Sequence, residues 1–145
     1  MPRHFLSLTL DEAKVMVSAA EARAFALGIP YNVAVVDAGG HLLAFVRQDR
    51  ALIGSIDLAI DKAVTARMFD APTSALGHLA QPGKPLYGIQ QSNDGKVVIF
   101  GGGVPVLVGG QVVGAVGASA GTVEQDAQVV DAAVAALQGA VAAKP

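Results

Sequence analysis

Cysteine is absent from the 145-residue chain, which excludes disulfides, thiolate metal sites, iron–sulfur clusters and cysteine nucleophiles. Tryptophan is absent as well, and aromatics total five Phe and two Tyr. Charge is scarce: 10 basic and 12 acidic residues make up 15% of the chain and leave a net charge of −2. Such a balance carries no electrostatic footprint for nucleic acid or an anionic membrane surface. Long apolar runs are missing too. The greasiest stretch, Val104 to Val116, is broken by Pro105, Gly109, Gly110, Gln111 and Gly114, and falls short of the roughly 20 residues of a membrane span. The opening Met1–Thr9 has no basic patch, apolar core and small-residue cleavage site in series. These absences predict a soluble protein, expected in the cytoplasm.

What is present is apolar: hydrophobic residues reach 52% and mean hydropathy is +0.50. Disorder needs the opposite composition. The length suits a single domain over residues 1–145. A domain this small has much surface for its volume, so the low charge predicts that a second copy covers part of it, as a homo-oligomer.

Apolar periodicity predicts a helix over Thr9–Leu27, with Leu10, Ala13, Val17, Ala20, Ala24 and Leu27 on one face. Thr9 and Glu12 have capping-box spacing, and Gly28 with Pro30 ends the helix. Asn32–Val36 and His41–Val46 read as strands around an Asp37-Ala38-Gly39-Gly40 turn. A second helix spans Ser55–Phe69 with Ile56, Ala59, Ile60, Ala63 and Val64 inward; Asp70-Ala71-Pro72 ends it. A short helix follows at Thr73–Leu79, then a loop at Gln81–Pro85. Lys96–Phe100, Val104–Val108 and Gln111–Ser119 read as three more strands, with Gly109-Gly110 as a two-residue turn. The last, small and apolar on both faces, is expected at the sheet centre. Thr122 with Gln125 caps a final helix whose apolar stripe is Val130, Val134, Leu137 and Val141, and the tail Ala142–Pro145 is expected to fray. Two hairpins imply an antiparallel or mixed sheet with helices packed on it.

The chemistry-bearing residues allow more than one reading. Gly101-Gly102-Gly103 before Val104-Pro105 lacks the Lys-Ser/Thr of a P-loop. The glycines serve tight packing, or they let a flat or anionic ligand approach bare backbone. Ser119-Ala120-Gly121-Thr122 opens a helix, whose N–H groups suit an anion. Lys62 and Thr65, three apart, share one side of the second helix; they belong to a solvated face or point into a pocket. Asp37, Arg47 and Asp49 mark the ends of the first hairpin. His4, His41 and His78 have no metal-ligand spacing, so no resident metal is expected; His41, His78, Met68 or Tyr87 remain as candidate ligands for haem iron, and Cys-x-x-Cys-His attachment is excluded.

Four phrases in order resemble one family. They are Val35-Val36-Asp37-Ala38-Gly39-Gly40-His41-Leu42-Leu43-Ala44-Phe45 with Arg47-Gln48-Asp49, then Lys62-Ala63-Val64-Thr65-Ala66, then Gly102-Gly103-Val104-Pro105. The last is Gly114-Ala115-Val116-Gly117-Ala118-Ser119 with Glu124-Gln125-Asp126. Together, from about Leu8 to Leu137, they resemble the GlcG/HbpS-like, haem-degrading or DUF336 family. The resemblance implies a profilin-like α/β domain of the α+β type, with a five-stranded antiparallel sheet and flanking helices. It also implies dimers or higher oligomers, up to octamers, and haem binding in some relatives. Two departures stand out: Asp49-Arg50-Ala51 where Asp-Gly-Ala is expected, and Ser119-Ala120-Gly121 where Ser-Gly-Gly is expected. The added guanidinium of Arg50 suits a carboxylate-bearing ligand.

Three functions follow. The first is binding of haem or a related tetrapyrrole, with slow degradation. The second is a cofactor-independent lyase, hydratase or isomerase acting on a small anionic metabolite. Its acid or base is Lys62, Asp37, Glu124 or Asp126, and its ligand contacts are Arg47, Arg50, Thr65, Gly101, Gly102, Gly103, Pro105, Ser119 and Gly121. The third is an accessory subunit without chemistry. The surface expected to carry function lies between the second helix, Gly101–Pro105 and the start of the last helix.

Overall fold

The computed structural model describes residues 1–143; Lys144 and Pro145, part of the tail expected to fray, lie outside the described residues. Helix α1 (Leu10–Leu27) begins at Thr9, where the Thr9 and Glu12 side chains each satisfy the other's backbone N–H. It ends at Gly28 in the left-handed conformation that an L side chain resists. Strands β1 (Asn32–Asp37) and β2 (Leu42–Arg47) form the first hairpin. Helix α2 (Ser55–Phe69) and the short α3 (Thr73–Leu79) follow. After an irregular stretch come β3 (Gly103–Val108), β4 (Gln111–Ser119) and α4 (Val123–Ala143). Gly109 and Gly110 both have positive φ, which a type I′ turn requires of its two central residues.

The sheet has four antiparallel strands in the order β2-β1-β4-β3, not five. Lys96–Phe100 is not a strand, because its backbone is satisfied by a helix instead. Thr65 Oγ1 accepts from the Val98 N–H (3.1 Å) and donates to the Lys96 carbonyl (3.3 Å). The adjacent Val97 and Val98 are both buried, whereas a half-buried strand alternates. Their apolar β-branched side chains supply a strand-like signal, but the segment is held under α2 and pairs with neither β4, whose sides are taken by β1 and β3, nor the edge strands β2 and β3. Pro105 has no N–H to give a central ladder, and β3 is an edge.

Helices α1 and α4 cover one face, around Met16, Tyr31, Val33, Val35, Val116, Val130 and Leu137. On the other face α2 lies against β1 and β4 through Ala59, Ala63 and Ala66, packed on Ala34, Val36 and Ala115. The inward side of α2 is therefore alanine together with Ser55, Lys62 and Thr65, and Ile56, Ile60 and Val64 are only half-buried. The approach is very close: a Cβ on Gly117 would stand 2.2 Å from the Ala59 carbonyl oxygen. Among the described residues no helix is long and apolar enough to cross a membrane.

On α2, Asp61 has its carboxyl pushed above the usual range by burial and by the neighbouring Asp57 carboxylate. A raised carboxyl in the folded state contributes stability at low pH and loses it as pH rises through the folded value. Asp61→Asn is expected to raise the melting temperature at pH 7, with the gain disappearing below the ordinary aspartate range. Calorimetry at both pH values checks this.

Candidate functional site

Lys62 is completely enclosed. Its position follows from α2 lying flat on glycine: a Cβ at Gly117 would touch Lys62 Cβ at 3.0 Å, and one at Gly102 would stand 2.6 Å from Nζ. Nζ donates to Asp126 Oδ2 at 2.7 Å and to the Ala118 carbonyl at 3.0 Å. The Phe100 ring lies over the ammonium, with its centroid 5.0 Å away, a cation–π distance. Asp126, also buried, sits in the first turn of α4, where the helix dipole favours an acid. Its Oδ1 accepts from the Tyr31 hydroxyl at 2.8 Å and from the Gly121 N–H at 3.1 Å. Burial pulls the Lys62 ammonium below its ordinary value, and the Asp126 carboxylate opposes that shift. Burial, then the bond to Asp126, pushes the Tyr31 hydroxyl well up, so it stays a donor. Gly121 has no room for a side chain: a Cβ there would meet the Tyr31 hydroxyl at 2.5 Å.

Directly outside this network is an open groove of about 370 Å³. Ser74, Gly77 and His78 of α3, Gln81, Ile99, Phe100, Gly101, and Val123 and Glu124 of α4 line it. The volume lies in the usual range of small-molecule sites. Phe100 is 43% exposed, so one ring forms both a wall of the groove and the cover of Lys62. The groove occupies the corner between Gly101 and the start of α4; no residue of α2 lines it, and of the Gly101–Pro105 segment only Gly101 does. It brings His78, Glu124 and Gly101 together, with Gly102, Lys62 and Asp126 beneath. A larger hollow of about 630 Å³ lies between Phe25, Gly28, Ile29, Pro30, Gln48 and Asp49; its one ionisable group is Asp49.

The other candidates separate from the groove. Asp37 Oδ1 accepts from the Gly39 and His41 N–H groups, so its carboxylate closes the hairpin turn. His41 lies on that turn. Thr65 pins the Lys96–Val98 segment, and Thr73 Oγ1 accepts from the Gly103 N–H. Met68 accepts from Asn93 Nδ2 at 3.7 Å, and Tyr87 is exposed; neither lines the groove. Arg47 and Ser119 flank Asn32 across the sheet, and Arg50 stands in the following turn with φ 71. Sequence reasoning missed Tyr31 and Phe100, which carry no local signal beyond being aromatic in an aromatic-poor chain. No group of three or more His, Asp or Glu arranged to hold a metal occurs among the described residues.

The family model described as haem degrading protein HbpS-like matches residues 8–135. An uncharacterized 15.0 kDa protein from the dhaT-dhaS intergenic region of Citrobacter freundii is 44% identical over 128 residues, 88% of this chain and 90% of that one. The corrinoid adenosyltransferase PduO of the same organism is 39% identical over 91% of this chain, which spans only 39% of that enzyme. Among solved structures, Klebsiella pneumoniae protein ORFY superposes with TM-score 0.93 at 37% identity, covering 94% of both chains. A PduOC:heme complex superposes with TM-score 0.87 at 38% identity, covering 90% of this chain and 95% of that one.

The Lys62–Asp126 pair predicts a strong stability effect. Removing one partner of a buried pair leaves the other charge unpaired, at a cost of about 3–5 kcal/mol. Lys62→Ala is expected to lower unfolding free energy by that order in urea titration, while Glu124→Ala, on an exposed site, leaves it within about 0.5 kcal/mol.

Proposed function

The chain belongs to the HbpS-like, haem-degrading family, and on that premise we propose that it binds haem or a related tetrapyrrole in the groove between α3 and α4. The observation that carries the reading is the haem complex of a 38% identical chain of the same fold, matched by the character of the groove. Phe100, Ile99 and Val123 offer apolar walls, and His78 offers an imidazole. A planar macrocycle needs apolar faces and an axial donor, and of His41, His78, Met68 and Tyr87 His78 alone lines the groove. When bound, haem supplies an iron centre and a strong absorbance band. The chain's own residues would hold and orient it: His78 would offer its imidazole to the iron, Phe100 and Val123 would give it apolar contact, and Gly101 would leave bare backbone beside it. The Lys62 ammonium beneath Phe100 places a positive charge under the site without meeting solvent. Its enclosure speaks against Lys62 as the acid or base of a metabolite enzyme.

Titration of the purified protein with hemin is expected to give a saturable, one-per-chain Soret shift. His78→Ala is expected to move or abolish that band while the fold is retained. Unsaturable binding, or a band unchanged in His78→Ala, would overturn this site. Loss of the bound band over time with a reductant reads degradation.

The same reading includes self-association. Phe25 and Ile53 are 86% and 76% exposed, more apolar surface than an isolated chain of this low charge holds comfortably. Light scattering at micromolar concentration is expected to give a dimer or larger; a monomer would remove this part.

A further inference from the structure

The sheet ends in two edges, and they are built differently. Its order β2-β1-β4-β3 leaves one side of β2 and one side of β3 without a strand. Strand β3 carries Pro105, which has no N–H to offer an incoming chain, so this edge is blunted. Strand β2 has no such device. Its central run Leu43-Ala44-Phe45-Val46 holds neither charge nor proline, and all four residues are only half-buried. An apolar edge left open in this way invites another strand.

The pairing shows which backbone groups of β2 are open. Tyr31 and Gln48 lie one step beyond the pair Asn32–Arg47, and the Gln48 N–H donates to the Tyr31 carbonyl at 3.0 Å. Bonded and non-bonded pairs alternate along an antiparallel ladder. Val46 and Ala44 therefore turn their N–H and C=O inward to β1, while Arg47 and Phe45 turn theirs to the open edge, where no strand lies among the described residues.

The two ends of β2 carry opposite charges. Arg47 and Arg50 stand at its C-terminal end with Asp49 between them, which leaves one net positive charge. Neither arginine belongs to the two ion pairs of the described residues. The Asp37–His41 turn stands at the other end. Asp37 closes that turn through Oδ1, so Oδ2 of its carboxylate is left to meet a cation.

We propose that the open edge of β2 is the interface with a second copy of this chain. The two β2 strands pair antiparallel about a two-fold axis at Phe45 and make one continuous eight-stranded sheet. The proposal rests on the self-association proposed above and names its surface. An axis at Phe45 sets that residue opposite Phe45 of the partner subunit, so the outward N–H and C=O of each meet those of the other. Arg47 then faces Leu43 of the partner subunit. The arginine end of each copy comes to the Asp37 turn of the other, twice by symmetry, and no arginine faces an arginine. An unrelated peptide would satisfy the backbone alone. A second copy also matches the charges, pairs two aromatic rings across the strands and closes the assembly. Two six-residue strands bury less area than a stable interface needs. Leu42, Leu52 and Ile53, which are 50%, 62% and 76% exposed beside the strand, add apolar surface to it.

The chain has no cysteine, so a single introduced one reports its own neighbour. Opposed residues of a bonded antiparallel pair have Cα atoms about 5.5 Å apart, within disulfide reach. With mild oxidant, Phe45→Cys in the full chain is expected to run mostly as a linked dimer on a non-reducing gel. Leu107→Cys, on the opposite edge strand and 46% exposed, is expected to stay largely unlinked. Arg47→Pro removes an N–H that β1 does not use, together with the guanidinium. Analytical ultracentrifugation is expected to show association weakened about tenfold or more. Arg47→Glu keeps the N–H and is expected to weaken association by a smaller factor that shrinks as salt rises. Phe45 also packs against α2, so the two Arg47 variants, at an exposed position, decide the matter should Phe45→Cys fail to fold. Hemin titration of Arg47→Pro is expected to match the natural chain, since no residue of β2 lines the groove. A natural chain that stays monomeric overturns this interface and the self-association reading together. Association unchanged in Arg47→Pro, or Leu107→Cys linking as readily as Phe45→Cys, overturns this interface alone.

Discussion

A lysine ammonium without access to water has to be solvated by the protein, and around Lys62 four separate parts of the chain do so. The carboxylate of Asp126 comes from the first turn of α4, a carbonyl from the end of β4, an aromatic face from Phe100, and bare space from Gly102. Displacing any one of these leaves a charge in a low-dielectric interior. The relative placement of α2, β4, the segment before β3 and α4 is thus tied to one interaction whose individual parts are weak and whose failure is expensive. Tyr31, donating to the other oxygen of Asp126, brings the start of β1 into the same network.

The small residues of β4 have their explanation here. Helix α2 has to lie close enough for a lysine side chain to cross the sheet end and reach Asp126, and Gly117 leaves no Cβ in the way, while a Cβ on Gly114 would meet Leu8 instead. The alanine face of α2 follows from the same requirement. Packing this tight contributes little area per residue, so the larger apolar side chains collect on the opposite face, under α1 and α4. The α2 face is left to hold polar groups, and both the covered lysine and Asn32, whose buried Oδ1 has no hydrogen-bond partner, belong to it. Phe100 links interior and surface, because the ring that covers the buried cation also walls the groove.

Much of this was legible in the residues. Thr9 with Glu12 and Thr122 with Gln125 mark helix starts because their side chains satisfy backbone donors locally. Gly28 and Gly109-Gly110 mark a helix end and a turn because φ is positive there. The placing of β4 at the centre followed from its being apolar on both faces. Lys96–Phe100 was misread as a strand because local composition reports burial, and burial under a helix and burial in a sheet look alike over five residues. Lys62 stands out by its three-residue spacing from Thr65 and by the phrase Lys62–Ala66, but nothing local distinguishes a lysine on a solvated face or facing a pocket from one sealed beneath it.

Caps, turns and periodicity act over a few residues, so the helices and the two hairpins could be read from the chain alone, and four ordered phrases carried the family; that the sheet is antiparallel throughout rather than mixed is settled by the pairing of β1 with β4. Tertiary structure alone decided that Asp126, rather than its exposed neighbour Glu124, meets Lys62; that Tyr31 and Phe100 complete the network; that His78 rather than His41 faces the groove; and that Asn32 is left with an empty acceptor. Those outcomes depend on contacts between residues up to 95 positions apart. Such contacts are set by how closely α2 settles on Gly117 of β4, a distance that no local pattern encodes.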